Sequence, residues 1–169
     1  LRIVLKRRLG YDPGCDMQKY CNIGYLLLSM IIEKRSGMSY EEFIQRNVLY
    51  PAGCFDFHIA GNYYKDRLPN EVKYYMHKEA EPIHEFNNSG RMVVKCYGEN
   101  DITSAAGAGA WVASAAELCH FVSAIDGDKR YPDVISEESV NMMTEDKGDH
   151  RFSLGWNFPP KGKPWTRTG

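Results

Sequence analysis

Two side chains set two residues apart, the phenol of Tyr20 and the carboxamide of Asn22, are the pair in this 169-residue chain whose types and spacing suit a reaction. Alternate residues of an extended segment point the same way, so both could face one cleft while Cys21 between them points elsewhere. A phenol can carry a proton, and a carboxamide can donate a hydrogen bond to a carbonyl oxygen. The same residues read equally as a half-buried core aromatic and the N-cap of the next helix, and taken alone they favour that structural role. Other chemistries find less support. The five histidines (His58, His77, His84, His120, His150) show no metal-ligand spacing. The five cysteines (Cys15, Cys21, Cys54, Cys96, Cys119) are odd in number and have no CxxC pair, so neither a zinc site nor a disulfide framework is expected, and reduced thiols are. Cys21 has no histidine in a partner pattern and is not read as a nucleophile. No cofactor or metal is expected.

The elements around Tyr20 and Asn22 follow from the pattern. Residues 1–9 carry Leu1, Val4, Leu5 and Leu9 at helical spacing, with Lys6, Arg7 and Arg8 elsewhere, which predicts a short amphipathic helix ended by Gly10. Asp12-Pro13-Gly14 is a turn. Residues 23–35 are apolar on nearly every side, so the helix they form is expected to be the most buried in the chain. Gly37 caps its C-terminal end, and Ser39-x-x-Glu42 opens a second helix with Tyr40, Phe43, Ile44 and Val48 inward. Residues 55–104 form a long excursion, with short strands expected over 72–77 and 91–97 and a turn at Asn87-Asn88-Ser89-Gly90. The run of Ala and Gly from 105 to 110 permits close backbone approach but lacks the Gly-Lys-Ser/Thr of a phosphate loop. Ser114-x-x-Glu117 opens a helix with Leu118, Phe121, Val122 and Ile125 inward, and Ser136 caps a last one that buries Val140 and Met143. Phe152, Leu154, Trp156 and Phe158 alternate with small or polar residues as in a half-buried strand, and Pro159-Pro160-Lys161-Gly162-Lys163 leads into its partner.

Composition excludes several classes of function. Twenty-one basic residues are set among 22 acidic ones for a net charge of −1, which is not the footprint of a nucleic-acid binder. Apolar residues make up 43% of the chain, enough for a core, and no run reaches the length of a membrane span. The chain begins at Leu1 without a signal peptide and stops after Trp165-Thr166-Arg167-Thr168-Gly169, so a single domain cut from a longer protein is expected. Oligomeric state is not legible.

In order and spacing, Pro13-Gly14, Tyr20-Cys21-Asn22, Gly24-Tyr25, Glu33-Lys34-Arg35-Ser36-Gly37, Tyr40-Glu41-Glu42-Phe43-Ile44 and Pro51-Ala52-Gly53-Cys54 together resemble the serine β-lactamase, penicillin-binding protein and related esterase family. The likeness resumes at Gly109-Ala110-Trp111-Val112-Ala113-Ser114 with Glu117, Leu118 and Phe121, and again over residues 153–169. It implies an α/β fold, the helical region of the β-lactamase/transpeptidase-like domain with part of its antiparallel sheet. It also implies a serine hydrolase acting on an amide, ester or β-lactam carbonyl through an acyl-enzyme, in the periplasmic or extracellular space, on a small molecule or peptide. On this resemblance Tyr20 relays a proton and Asn22 orients the substrate amide or the catalytic lysine. Arg167-Thr168-Gly169 stands for the family's Lys/His-Thr/Ser-Gly, lining the cleft and binding substrate. Arg167 departs from the pattern: a guanidinium stays charged and holds an anion or carbonyl but does not shuttle a proton. The family's nucleophile, the Ser of Ser-x-x-Lys, lies upstream of Tyr-x-Asn, and the first nineteen residues here contain no Ser. These residues alone are therefore expected to be inactive. The rival reading is a non-catalytic binding module for peptides or cell wall on the same scaffold.

Overall fold

The computed structural model describes residues 6–8, 10–12, 14–15, 20–144 and 155–156. The helix expected over residues 1–9 and the strand expected over 152–158 lie largely outside these. Arg167, Thr168 and Gly169 lie wholly outside them.

Helix α1 (Asn22–Ser36) ends where Gly37 takes the left-handed conformation, φ 72°, and donates its N–H to the Glu33 carbonyl at 2.9 Å. The Glu33 carboxylate reaches across the break and accepts from the Tyr40 N–H at 3.0 Å. Ser39 caps helix α2 (Tyr40–Ile44), its Oγ accepting from the Glu42 N–H at 3.2 Å. The helix then widens without a break into a π-helical turn, Gln45–Leu49, in which the Tyr50 N–H donates to the Gln45 carbonyl at 2.8 Å. Leu49 at its end is buried, and the Gln45 amide donates to the Phe57 carbonyl at 2.9 Å.

Four two-residue strands follow: β1 (His58–Ile59), β2 (Ile83–His84), β3 (Met92–Val93) and, after the short helix α3 (Ala106–Gly109), β4 (Trp111–Val112). β1 pairs antiparallel with β4, His58 opposite Val112, and β2 with β3, Ile83 opposite Val93. Helices α4 (Ala115–Ser123) and α5 (Glu137–Thr144) complete the described chain. Ser114 and Ser136 each cap as expected, accepting from the N–H of Glu117 at 3.2 Å and of Ser139 at 3.1 Å. Helices interleaved with antiparallel pairs make this the expected α/β arrangement.

The core sits where α2, β1, β4 and α4 meet. Leu49, Cys54 and Phe57 are buried there against Ile44, Ala52, Trp111 and Phe121. Phe57 lies between the Trp111 and Phe121 rings, at centroid distances of 6.4 and 6.2 Å. Each fully buried side chain of this kind stabilises the fold by about 1.5–3 kcal/mol, so this cluster anchors the molecule.

Helix α1 departs from expectation. It is not the most buried element: among its residues Ser29 alone is buried, and Leu28 and Ile31 are 55% and 56% exposed. All-round apolarity demands cover on every side, but among the described residues cover comes mainly from α3 and α2, on part of the surface. Two smaller expectations also fail. Residues 72–77 form no strand, the partner of β3 being β2, and Leu118 on α4 is 52% exposed.

Candidate active site at the start of the first long helix

Tyr20 and Asn22 stand at the N-terminal end of α1. Cys21 between them is the N-cap residue, with extended backbone angles (φ −148°, ψ 98°), and it makes no side-chain cap. Asn22 is the first helical residue, so the N-cap role open to it from sequence belongs to Cys21. The simple alternation of an extended strand does not apply either, because the chain turns into the helix between the two. Both side chains are nonetheless on the surface of these residues, Tyr20 at 75% exposed.

The local electrostatics favour an anion at this end. The first turn of an α-helix has backbone N–H groups without intrahelical partners, and the aligned peptide dipoles put a partial positive charge there. Here the N-cap residue Cys21 makes no side-chain cap, and no acidic residue sits in the first turn.

One close contact lies on this helix, a turn or two beyond the site. α3 crosses α1 at Gly107, and a Cβ there would lie 2.6 Å from the Ser29 Cβ and Oγ and from the Tyr25 carbonyl oxygen. Only glycine lets the two backbones approach so closely. Ser29 is itself 5% exposed, and its hydroxyl donates back to the Leu26 carbonyl at 2.8 Å, which removes the cost of burying it. The small-residue run at 105–110 signalled a close approach in the sequence. Ser29, a small polar residue inside an apolar helix, was the signal for its partner, and it was missed.

The excursion is built on buried polar groups that no motif announced. Glu85, directly after β2 in the β2–β3 hairpin, has a side chain 1% exposed. It accepts from the Ser89 and Tyr63 hydroxyls, and the Arg91 guanidinium approaches at 3.7 Å. The Ser89 and Tyr63 hydrogen bonds hold its carboxyl below the ordinary carboxylate range, against the opposing effect of burial. The expected turn is present beside it, with Asn88 at φ 57° and Gly90 at φ 81°. Asp101 fixes the far end, accepting from the Asn62 amide at 3.0 Å and the Ser104 N–H at 3.1 Å. Hydrogen bonds, the one from Ser104 foremost, lower its carboxyl as well.

Two concavities lie away from Tyr20 and Asn22. One is a groove of about 420 Å³ between residues 68–74 and the segment 111–114. The other runs along the exposed face of α1 at Leu27, Met30 and Ile31. Among the described residues no three His, Cys, Asp or Glu side chains are placed to hold a metal, and no helix is long and apolar enough to cross a membrane.

With this geometry in place, the chain can be compared with known proteins. A family model described as Beta-lactamase matches residues 1–169. Penicillin-binding protein 4* of Bacillus subtilis (strain 168) is 37% identical over 76 residues, a stretch that is 44% of this chain and 16% of that protein. The D-amino acid amidase of Ochrobactrum anthropi SV3, solved in complex with L-phenylalanine amide, superposes with a TM-score of 0.59 at 20% identity, over 89% of this chain and 42% of the amidase. The same enzyme with D-phenylalanine gives 0.58 at 19% identity, over 89% and 43%. The chain thus shares its fold with part of the amidase and spans less than half of that enzyme's length.

Proposed function

The chain belongs to the Beta-lactamase family, and from that premise we propose that it supplies the Tyr-x-Asn arm of an active site that hydrolyses an amide, ester or β-lactam carbonyl through an acyl-enzyme. The nucleophile in this reading is the serine of a Ser-x-x-Lys segment outside these residues. Its Oγ bonds to the carbonyl carbon, the bond to the leaving amine or alcohol breaks, and water later cleaves the resulting ester to release the acid. Tyr20 Oη carries the serine's proton to the leaving group. The Asn22 carboxamide orients the substrate's amide or the lysine. Arg167, Thr168 and Gly169 bind the substrate in this reading, Arg167 through an anionic or carbonyl group.

The observation that carries this reading is the exposure of Tyr20 and Asn22 together at the N-terminal end of α1. The relatives are in keeping with that substrate class: the chain is similar to a penicillin-binding protein and, in fold, to a D-amino acid amidase. The test is Tyr20→Phe in a protein that also carries the Ser-x-x-Lys segment, assayed on a chromogenic β-lactam and a nitrophenyl ester. Removing a general acid–base group lowers turnover by roughly 100- to 10,000-fold, and at an exposed position the melting temperature should stay put. Unchanged turnover would take Tyr20 off the catalytic list.

A further inference from the structure

The groove between residues 68–74 and β4 plays no part in the chemistry above, and its lining is unlike an ordinary surface fold. Trp111 forms its apolar wall, the ring steadied by Tyr40 and Phe57 at centroid distances of 5.9 and 6.4 Å. Its polar groups include two carboxylates, Asp56 and Glu71, and among the described residues no Lys, Arg or His lines it. Asp56 is positioned by the Asn70 amide at 2.7 Å, with His58 Nε2 at 3.4 Å from its other oxygen. Glu71 accepts from the Leu68 N–H at 3.0 Å and from the Tyr74 hydroxyl. Burial, followed by that bond to Glu71, pushes Tyr74 up to about 12, so at neutral pH it stays an uncharged donor. The basic side chains nearest in sequence, Arg67 and Lys73, do not line the groove, although the Arg67 charge reaches Tyr74 and opposes its rise. The Arg67 guanidinium lies 4.9 Å over the Tyr64 ring, and Lys73 Nζ lies 4.9 Å from the Tyr75 ring.

The backbone adds a second property. β4 pairs with β1 along one edge, and among the described residues no strand pairs with its other edge. Residues 111–114 all line the groove in succession. Because alternate side chains of an extended segment point to opposite faces, four consecutive residues line one groove along their backbone edge. An open edge of this kind takes an added strand, with main-chain hydrogen bonds supplying affinity and side-chain pockets supplying selectivity.

We propose that this groove binds an extended peptide segment bearing a lysine or arginine, its backbone alongside the open edge of β4 and its cationic group at Asp56 and Glu71. Charge complementarity selects the cation, and the strand edge selects a peptide over a free amine. The site does not depend on the acyl-transfer reading and should work in the chain as it stands.

The test is calorimetric titration of the full chain with a blocked hexapeptide of alternating lysine and valine. Comparison ligands are the same peptide with glutamate for lysine, a version N-methylated at alternate backbone amides, and N-acetyl-lysine methylamide. The lysine peptide should bind one to one and more than about tenfold tighter than each of the other three, the scale of one charge-assisted or strand-pairing contribution. Asp56→Asn with Glu71→Gln should weaken it by a similar factor while the far-UV circular dichroism is unchanged. Equal binding of the glutamate peptide, equal binding of the methylated peptide, unaltered affinity in a folded double variant, or no binding of the lysine peptide at millimolar concentration would each overturn the proposal. Should the double variant lose its structure, the methylated and glutamate peptides on the unaltered chain decide it.

Discussion

Replacing Gly107 by alanine adds one methyl group at the contact between α1 and α3. In the structure that carbon would stand 2.6 Å from the Ser29 Cβ and the Tyr25 carbonyl oxygen. Carbon atoms rest comfortably at about 3.5 Å, so α1 and α3 must part by roughly 0.9 Å or the backbone must bend. The obstruction is backbone and a Cβ, neither of which can swing aside. Forced insertion of this sort costs about 1–3 kcal/mol. Against it, alanine is the better helix former by about 0.5–1 kcal/mol, and Gly107 has an ordinary helical φ that alanine can adopt. The net expectation is destabilisation by about 1–2 kcal/mol, read as a lower urea midpoint with an unchanged slope and a melting temperature lower by roughly 2–8 °C. Ser29→Gly in the same chain removes one of the two obstructions and leaves the Tyr25 carbonyl. The double variant should therefore recover part of the loss, a non-additivity above about 0.5 kcal/mol. A Gly107→Ala chain as stable as the parent would refute the argument that only glycine lets the two backbones approach so closely.

Three further outcomes are expected. The chain of residues 1–169 alone should hydrolyse neither a chromogenic β-lactam nor a nitrophenyl ester above background; turnover that survives purification and is abolished by a substitution within these residues would require another nucleophile. Glu85 has a folded carboxyl pKa depressed below its ordinary 4.5, so its stabilising contribution is complete above that pH and is lost as the pH falls through the folded value. Amide exchange in the β2–β3 hairpin should accordingly quicken on acidification, and Glu85→Gln should flatten that pH dependence; an unaltered profile counts against it. Finally, Cys54 is fully buried and its thiol is pushed up, by burial first and then by Glu117, whereas Cys15, Cys21 and Cys119 are exposed. Iodoacetamide should label the exposed thiols in the folded chain and reach Cys54 only on unfolding, as peptide mapping would show.

Local signals were legible in the sequence because local atoms enforce them. Ser39, Ser114 and Ser136 cap helices, Gly37 ends one, and Asn88 and Gly90 turn the chain, each through a bond or a dihedral settled within a few residues. What depends on distant partners was not legible. The apolar ring of α1 announced a need for cover without saying where cover would come from. Residues 72–77 have the composition of a strand, but strand formation waits on a neighbour, and Ile83 rather than this segment meets Val93. The pairing of His58 with Val112 bridges the whole excursion and left no periodic trace. For the candidate site, the family pattern singled out Tyr20 and Asn22, while the close contact on their helix, Gly107 on Ser29, is visible only in three dimensions.

The π-helical turn after α2 carries a consequence for how the family's surface can change. A residue in an α-helix advances the azimuth by about 100°, so a turn holding one extra residue is an insertion the helix has absorbed without breaking. Its wider loop redirects everything downstream: Leu49 faces the core, and Gln45 reaches the Phe57 carbonyl where the chain leaves for the excursion. The heading of that departure is therefore stored inside the helix, upstream of the segment it steers. A single deletion among 45–49 would swing the whole excursion by about a quarter turn without altering one of its residues.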